Sequence, residues 1–307
     1  MKILSFLLKL VLFFCIFLVA IGYLNFLHPL FDSIAQFRLH LLFIATFLSI
    51  VFLVISKNRL LYGILFGLLM ALLAENYIAF SRYKVAGKRF THMQFNINFN
   101  NKNLDKLSNF IKDKRPDIIT LQEVTKDSYK KFQKLKNIYP YQRYCSFYTE
   151  VEIAIFSKYP FIGQEVCAKD KGMLISKVKI YNKELTVASI HLVWPYPYPQ
   201  DRQIELLKPY LLQIKAPAII SGDFNSAYWS YSVQKIAKLS NTKVAKGVRW
   251  SFELKSKSAF LPSLKLPIDQ LLISNDIVIK DIKAENRHLG SDHYPILSVL
   301  TILGDGL

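Results

Sequence analysis

The chain reads as an α plus β domain carried behind an apolar helical arm, and three observations predict it. Apolar residues are spread unevenly over the 307 positions, with the first eighty almost free of charge. From about residue 90 onward, short β-branched apolar runs alternate with helix-like stretches, the pattern of mixed strands and helices. Several of those runs end in a single polar residue, which is how a sheet delivers side chains to a site at its edge.

The arm comes first. Residues 3–23, 38–56 and 60–80 each supply about 20 mostly apolar residues, the length that spans a hydrocarbon core. They carry almost no polar face, which argues against a buried soluble bundle, so residues 1–80 are expected to form a membrane anchor of three transmembrane helices. Lys2 and Lys9 also fit the basic start of a cleavable signal, but no small-x-small cleavage site follows and Tyr23 to Phe31 is bulky. Gly63 and Gly67 stand one turn apart, which suits either close helix approach or plain glycine tolerance in a membrane span. Glu75, near the end of the third span, is expected to reach headgroup water. Residues 81–89 form a short basic connector to a single domain over 90–307, in which no internal repeat or low-complexity tract is visible.

Within that domain the strand-like runs are met in order. Asn96 closes Met93-Gln94-Phe95-Asn96; Glu123 closes the proline-started run from Pro116 to Val124; His191 ends Leu185 to His191; Asp269 lies in Pro267 to Ile273. Ala218-Ile219-Ile220-Ser221 runs into Gly222-Asp223-Phe224-Asn225, and Ser291-Asp292-His293 precedes the strand-like Ile296 to Leu300. Helices are expected over Leu104 to Lys114, Asp127 to Leu135 and Arg202 to Gln213, with loops through Lys238 to Pro267. Taken singly, these polar residues have bland readings: Asn96 closes a turn, Glu123 starts a helix, Asp223 and Asn225 shape a turn, and His191 is a hydrogen-bonded strand end.

The ordered set Asn96, Gln122-Glu123, His191, Gly222-Asp223-Phe224-Asn225, Asp269 and Ser291-Asp292-His293 resembles the endonuclease/exonuclease/phosphatase superfamily, over essentially all of residues 90–303. The segment Glu152 to Pro160 resembles the family's strand leading into a Ser-basic-x-Pro turn. The resemblance implies a four-layer α/β/β/α sandwich, two packed and mainly antiparallel sheets flanked by helices, and hydrolysis of a phosphoester bond. Such a bond resists attack because its oxygens are anionic, so catalysis needs a hard cation, a positioned water and help for the leaving oxygen. Mg2+, with Mn2+ as a substitute, suits oxygen ligands such as Asn96 and Glu123, with Asp292 supporting directly or through water; no Cys/His cluster suggests zinc. By resemblance, Asp223 orients or deprotonates the attacking water and Asn225 hydrogen-bonds the phosphoryl oxygens. His293, held by Asp269, contacts the same phosphate. His191 protonates the leaving oxygen or stabilises its charge, and Glu152 is expected as its carboxylate partner. Asn98 departs from an acidic residue found at that place in several family members, which puts a second metal site in doubt. A catalytically silent binding or scaffold protein of the same fold is the alternative from another class.

A formal charge of +18 suits a surface that meets polyanions, either nucleic acid or anionic headgroups. The lysines Lys126, Lys130, Lys131, Lys134 and Lys136 read as a solvated helix face. Trp194-Pro195-Tyr196-Pro197-Tyr198, just after His191, is a proline-stiffened aromatic loop that can stack bases, lie against lipid or simply pack, and Trp194 and Arg202 are therefore candidate substrate contacts. The expected partners are the lipid bilayer and a phosphate-containing substrate, a lipid-linked pyrophosphate or a nucleic acid; nothing demands an obligate protein partner. Three spans put the domain opposite the amino terminus. Lys2, Lys9, Lys57 and Arg59 favour a cytoplasmic amino terminus and an extracytoplasmic domain of a multi-pass cell-membrane protein, while Arg82, Lys84, Lys88 and Arg89 pull the other way. Cys145 and Cys167 either pair in an oxidising compartment or stay free.

Overall fold

The computed structural model describes residues 2–77, 87–148, 151–256 and 263–303. Its first element is a group of helices: α1 (Lys2–Tyr23), the short α2 (Pro29–Ala35), α3 (Arg38–Ile55) and α4 (Arg59–Tyr77). The long three are each apolar enough, over enough residues, to cross a membrane. α1 packs on α3 and α3 on α4, leaving Phe13, Phe47 and Ile64 exposed on the outside of the group. Glu75 is exposed. The close approach is not at the anticipated glycines, because a Cβ on Gly67 would meet nothing within 4 Å and one on Gly63 only the tip of Leu53. It lies at Gly22, whose added Cβ would sit 3.2 Å from the Ala35 Cα, where the chain folds back between α1 and α2.

Most of the expected connector lies outside the described residues. Its last three residues belong instead to β1 (Gly87–Asn96), because their backbone pairs with Leu303, Ile302 and Thr301. The mixed domain continues as α5 (Leu104–Lys114), β2 (Ile118–Val124), α6 (Lys126–Phe132), β3 (Tyr141–Tyr148), β4 (Val151–Ser157), β5 (Phe161–Ala168), β6 (Met173–Ile180), β7 (Lys183–His191), α7 (Gln200–Leu211), β8 (Ala218–Asp223), α8 (Tyr231–Leu239), β9 (Lys243–Val244), β10 (Phe252–Leu254), β11 (Leu264–Leu266), β12 (Asp269–Ile273), β13 (Ile277–Ala284) and β14 (Ile296–Leu303). The stretch expected to be loops from 238 to 267 thus holds three short strands, β9 to β11, too brief to show an alternating pattern in the sequence.

Two six-stranded sheets face each other, ordered β13-β14-β1-β2-β4-β3 and β5-β6-β7-β8-β12-β9. Only β1·β2 and β7·β8 pair in parallel within them; the rest is antiparallel. Phe90, Ile118, Ile155, Val187, Ile219 and Leu300 fill the space between the sheets. Met93, Phe95 and Phe156 turn the other way, onto α5 and its neighbours. On the second sheet Ile190 and Ile220 pack against α7 and α8, completing the α/β/β/α layering. A disulfide joins Cys145 on β3 to Cys167 on β5, stapling the edges of the two sheets.

Candidate active site

Strand direction explains why residues far apart in the chain meet. The parallel pair β1·β2 brings two carboxyl-terminal ends to one edge, carrying Asn96 and Glu123, and β7·β8 does the same for His191 and Asp223, which are direct register partners. β12 runs antiparallel to β8, so its first residue, Asp269, pairs with Asp223 at that same edge. β14 runs antiparallel to β1, which places Asp292 and His293, just before it, there as well.

Along β1, every second residue faces the opposite sheet, and this row changes from apolar to polar as it nears the edge: Phe90, His92, Gln94, Asn96. His92 lies in a hydroxyl cage, 3.1 Å from Thr120 Oγ1 and 3.0 Å from Ser221 Oγ. Next, Gln94 Nε2 donates to Gln122 Oε1 at 2.9 Å and to Asp269 Oδ1 at 2.7 Å, while Gln122 donates to Ser189. His92, Gln94 and Ser189 support the site without belonging to the ordered polar set, and their period-two spacing with Asn96 and His191 is the signal the sequence offers for them.

Backbone strain completes the edge. Alternation alone would send Glu123 to the helix side with Leu121, but a register shift between Leu121 and Val124 and a left-handed φ of 59° turn it toward Asn96. Such a conformation costs a residue with a Cβ about 1–2 kcal/mol. Asn225 (φ 48°) and Asn98 (φ 61°) adopt the same region, which asparagine tolerates well. Gly222 is required for close approach, since a Cβ there would fall 1.8 Å from the Ile190 oxygen.

The polar groups converge closely. Asn96 Nδ2 stands between Glu123 Oε1 (2.9 Å) and Asp223 Oδ2 (3.0 Å). The Phe99 amide donates to the other Glu123 oxygen, and the Asn225 amide to Asp223 Oδ1. His191 Nε2 lies 3.6 Å from Asp223 Oδ2 and 3.8 Å from Glu123 Oε1. His293 Nδ1 lies 2.8 Å from Asp269 Oδ2, and its Nε2 lies 3.6 Å from Asp223 Oδ2. Asp292 accepts from Asn98 Nδ2 at 2.8 Å, so the amide at the expected acidic position hydrogen-bonds a neighbouring carboxylate instead of adding charge.

Burial and charge set the protonation states. Burial pushes Asp223 up to about 7, an effect opposed by nearby His293 and reinforced by Asp269. Burial pulls His293 down, but Asp269, Asp223 and Asp292 together carry it up to about 10. Burial, with the charge of His293, holds His191 down at about 3. His191 is therefore neutral at physiological pH, and its Nδ1 has no hydrogen-bond partner among the described residues.

A metal fits this donor set. Two carboxylates, Glu123 and Asp223, crowd one amide nitrogen, and carboxylate oxygens are the donors a hard cation prefers. Asp223, Asp269 and His293 also offer ligand atoms within 4.8 Å of one another. Asp269 is already committed to Gln94 and His293, however, so that trio is better suited to holding a proton than a cation.

The cavity is about 340 Å³ and is walled by Phe147, Trp194, Tyr198 and Phe252 around Glu123, His191, Asp223, Asn225, Asp292 and His293. Trp194 thus joins the site. Arg202 does not: it is exposed on α7 outside that wall, and the next residue, Gln203, is the one turned inward, bonding the Val193 amide and the His191 carbonyl. Glu152 does not meet His191 either. It shares its face of β4 with Ala154 and Phe156, toward the helices and Tyr144, whereas His191 faces the space between the sheets.

The Endonuclease/Exonuclease/phosphatase family model matches residues 93–293. No curated protein matches the chain. Among solved structures it is similar to D. rerio TDP2 complexed with single-strand DNA product, at 16% identity and TM-score 0.57, covering 70% of this chain and 99% of that one. An endonuclease/exonuclease/phosphatase of Bacteroides vulgatus is similar at 17% identity and TM-score 0.56, with 70% and 99% coverage. Staphylococcus aureus beta toxin follows at 16%, 0.52, 68% and 99%. Likeness at these identities speaks for the fold, and the family match covers most of the chain together with every clustered residue from Asn96 to His293. The chain belongs to the endonuclease/exonuclease/phosphatase family and is a metal-dependent hydrolase of phosphoester bonds.

Proposed function

We propose that this protein is a magnesium-dependent phosphoesterase, anchored in a membrane by α1, α3 and α4, that hydrolyses a phosphodiester or pyrophosphate bond at the bilayer surface. The observation that carries this reading is the meeting of Glu123, Asp223, His191 and His293 at one sheet edge beside an arm long and apolar enough to span a membrane. Asn96 and Glu123 hold the cation, with Asp292 supporting, and Mn2+ substitutes. When bound, the ion withdraws charge from a phosphoryl oxygen.

The chain's own groups do the rest. Asp223, raised toward neutrality, takes the proton of the attacking water. Asn225 uses one amide hydrogen on the Leu192 carbonyl and keeps the other for a phosphoryl oxygen. His293 stays charged against Asp269 and holds the phosphate. His191, being neutral, donates a hydrogen bond to the departing oxygen and stabilises its charge, which favours that half of the sequence expectation over outright proton transfer.

A lipid-linked phosphoester is the favoured substrate class. The aromatic loop beside the cavity meets the arm: Ser33 Oγ donates to the Tyr196 carbonyl at 2.9 Å, and the His28 and Tyr196 rings lie 6.0 Å apart. Tyr198 borders both the catalytic cavity and a second cleft lined by Phe26, Leu27 and Pro29 of the arm. The Cys145–Cys167 disulfide supports an extracytoplasmic domain. The second reading, nuclease action, draws on the +18 charge and on the DNA product bound by the TDP2 relative.

The test is to incubate the full-length protein with polyprenyl pyrophosphate, phospholipids, single strands and duplex DNA, with and without Mg2+, beside Asp223→Asn. Mg2+-dependent turnover of the lipid substrates, cut about 10²–10⁴-fold by the substitution, is expected. Strongly salt-dependent cleavage of DNA alone selects the nuclease. Absence of both metal response and hydrolysis identifies a silent module.

A further inference from the structure

We propose that α2 of the arm is a positioning element of the active site, with Asp32 and Gln36 holding the chain that leaves the Asp223–Asn225 turn; this rests on reading that turn as catalytic. Helix α8 begins six residues after Asn225, and its N-cap residue, Ser230, makes no side-chain cap of its own. The first helical amides must then find an acceptor elsewhere. Asp32, about two hundred residues away in sequence, supplies it: Oδ1 accepts from the Tyr231 amide at 2.8 Å, and Oδ2 from the Ser232 amide at 3.0 Å and from Ser230 Oγ at 2.7 Å. The carboxylate is only 5% exposed, and its charge faces the positive end of α8.

Gln36, one turn further along, reaches closer to the catalytic residues. Its Oε1 accepts from the Ala227 amide at 2.6 Å, two residues past Asn225, and its Nε2 donates to Ser230 Oγ. Between these anchors, Trp229 Nε1 donates to the Ala35 carbonyl and Tyr228 donates its hydroxyl hydrogen to the Asn76 carbonyl at the end of α4. The domain grips the same segment from its other side, with Gln200 Nε2 donating to the Phe224 carbonyl and Gln270 Nε2 to the Ser226 carbonyl. Residues 224–232 are therefore clamped between domain and arm, with most of the hydrogen bonds just named made to the arm. A turn that must hold Asp223 and Asn225 to a fraction of an ångström thus depends on the seating of α2.

The test uses the full-length protein in phosphatidylcholine nanodiscs, with Asp32→Ala, Gln36→Ala and the conservative Asp32→Asn, which keeps the acceptor for the Tyr231 amide. Two readouts are taken, kcat and KM on the soluble bis(p-nitrophenyl) phosphate and amide hydrogen exchange across residues 223–234. Asp32→Ala is expected to lower kcat about ten-fold or more with little change in KM, and Asp32→Asn to recover part of it. Exchange should quicken at Tyr231 and Ser232 and spread back to Phe224, Asn225 and Ser226. Faster exchange confined to 229–234, or an unchanged kcat despite it, overturns the proposal, because α2 then only docks the arm. A wild-type protein that hydrolyses nothing overturns the catalytic reading instead, while the spread of exchange still decides the clamp.

Discussion

Asp269 Oδ2 lies 2.8 Å from His293 Nδ1, and on its other side Asp269 Oδ1 accepts from Gln94 Nε2 at 2.7 Å. Both carboxylate oxygens are thus committed, one to fixing the ring and the other to fixing the carboxylate. The second ring nitrogen of His293 is left to face Asp223 and the cavity.

Replacing Asp269 by Asn removes the largest influence that raises His293, so its pKa falls from about 10 toward the neutral range. The expected result is a loss of about 10²-fold in kcat at pH 8 and a basic limb of the pH–rate profile displaced to lower pH. A profile of unchanged shape would show that His293 does not need its charge.

Metal binding is checked without activity. Titrating Mg2+ or Mn2+ into the full-length protein should raise its stability by about 2.7 kcal/mol when the free ion is a hundred times its Kd. Chelation should reverse the shift, and Glu123→Gln should abolish it. A wild-type melting temperature indifferent to both ions would remove Asn96 and Glu123 from the metal site.

His92 supplies a pH dependence of stability separate from catalysis. Burial holds its folded pKa near 3, against an ordinary value of 6.5, so the folded state keeps it neutral while the unfolded chain takes up a proton below 6.5. Its contribution is complete above pH 6.5 and is lost as pH falls toward 3, at about 1.4 kcal/mol per pH step. Unfolding between pH 7 and 4 should show a shallower acid slope for His92→Asn than for the wild type. Equal slopes would mean that His92 protonates in the folded state, its hydroxyl cage notwithstanding.

How much was legible depended on whether a feature is local. The helix at Leu104 to Lys114 stood where its apolar spacing put it, because an amphipathic face is written in consecutive residues. The pairing of His191 with Glu152 was not legible. A reading that counts positions along one strand cannot tell which face of β4 carries the carboxylate, and its even positions proved to face the helices. Arg202 failed for a similar reason: helical phase turned Gln203 inward and left Arg202 outside.

By itself the amino-acid order determined that an apolar arm precedes a mixed domain, and which polar residues stand at strand ends, since hydrophobic period and strand termination are properties of short stretches. Only the tertiary structure decided that six strand ends share one edge, because that follows from the directions of β1, β2, β7, β8, β12 and β14 across two sheets. Folding alone also raised Asp223, lowered His191 and set Asp32 against α8, since desolvation and contacts between residues two hundred apart exist only once the chain is packed.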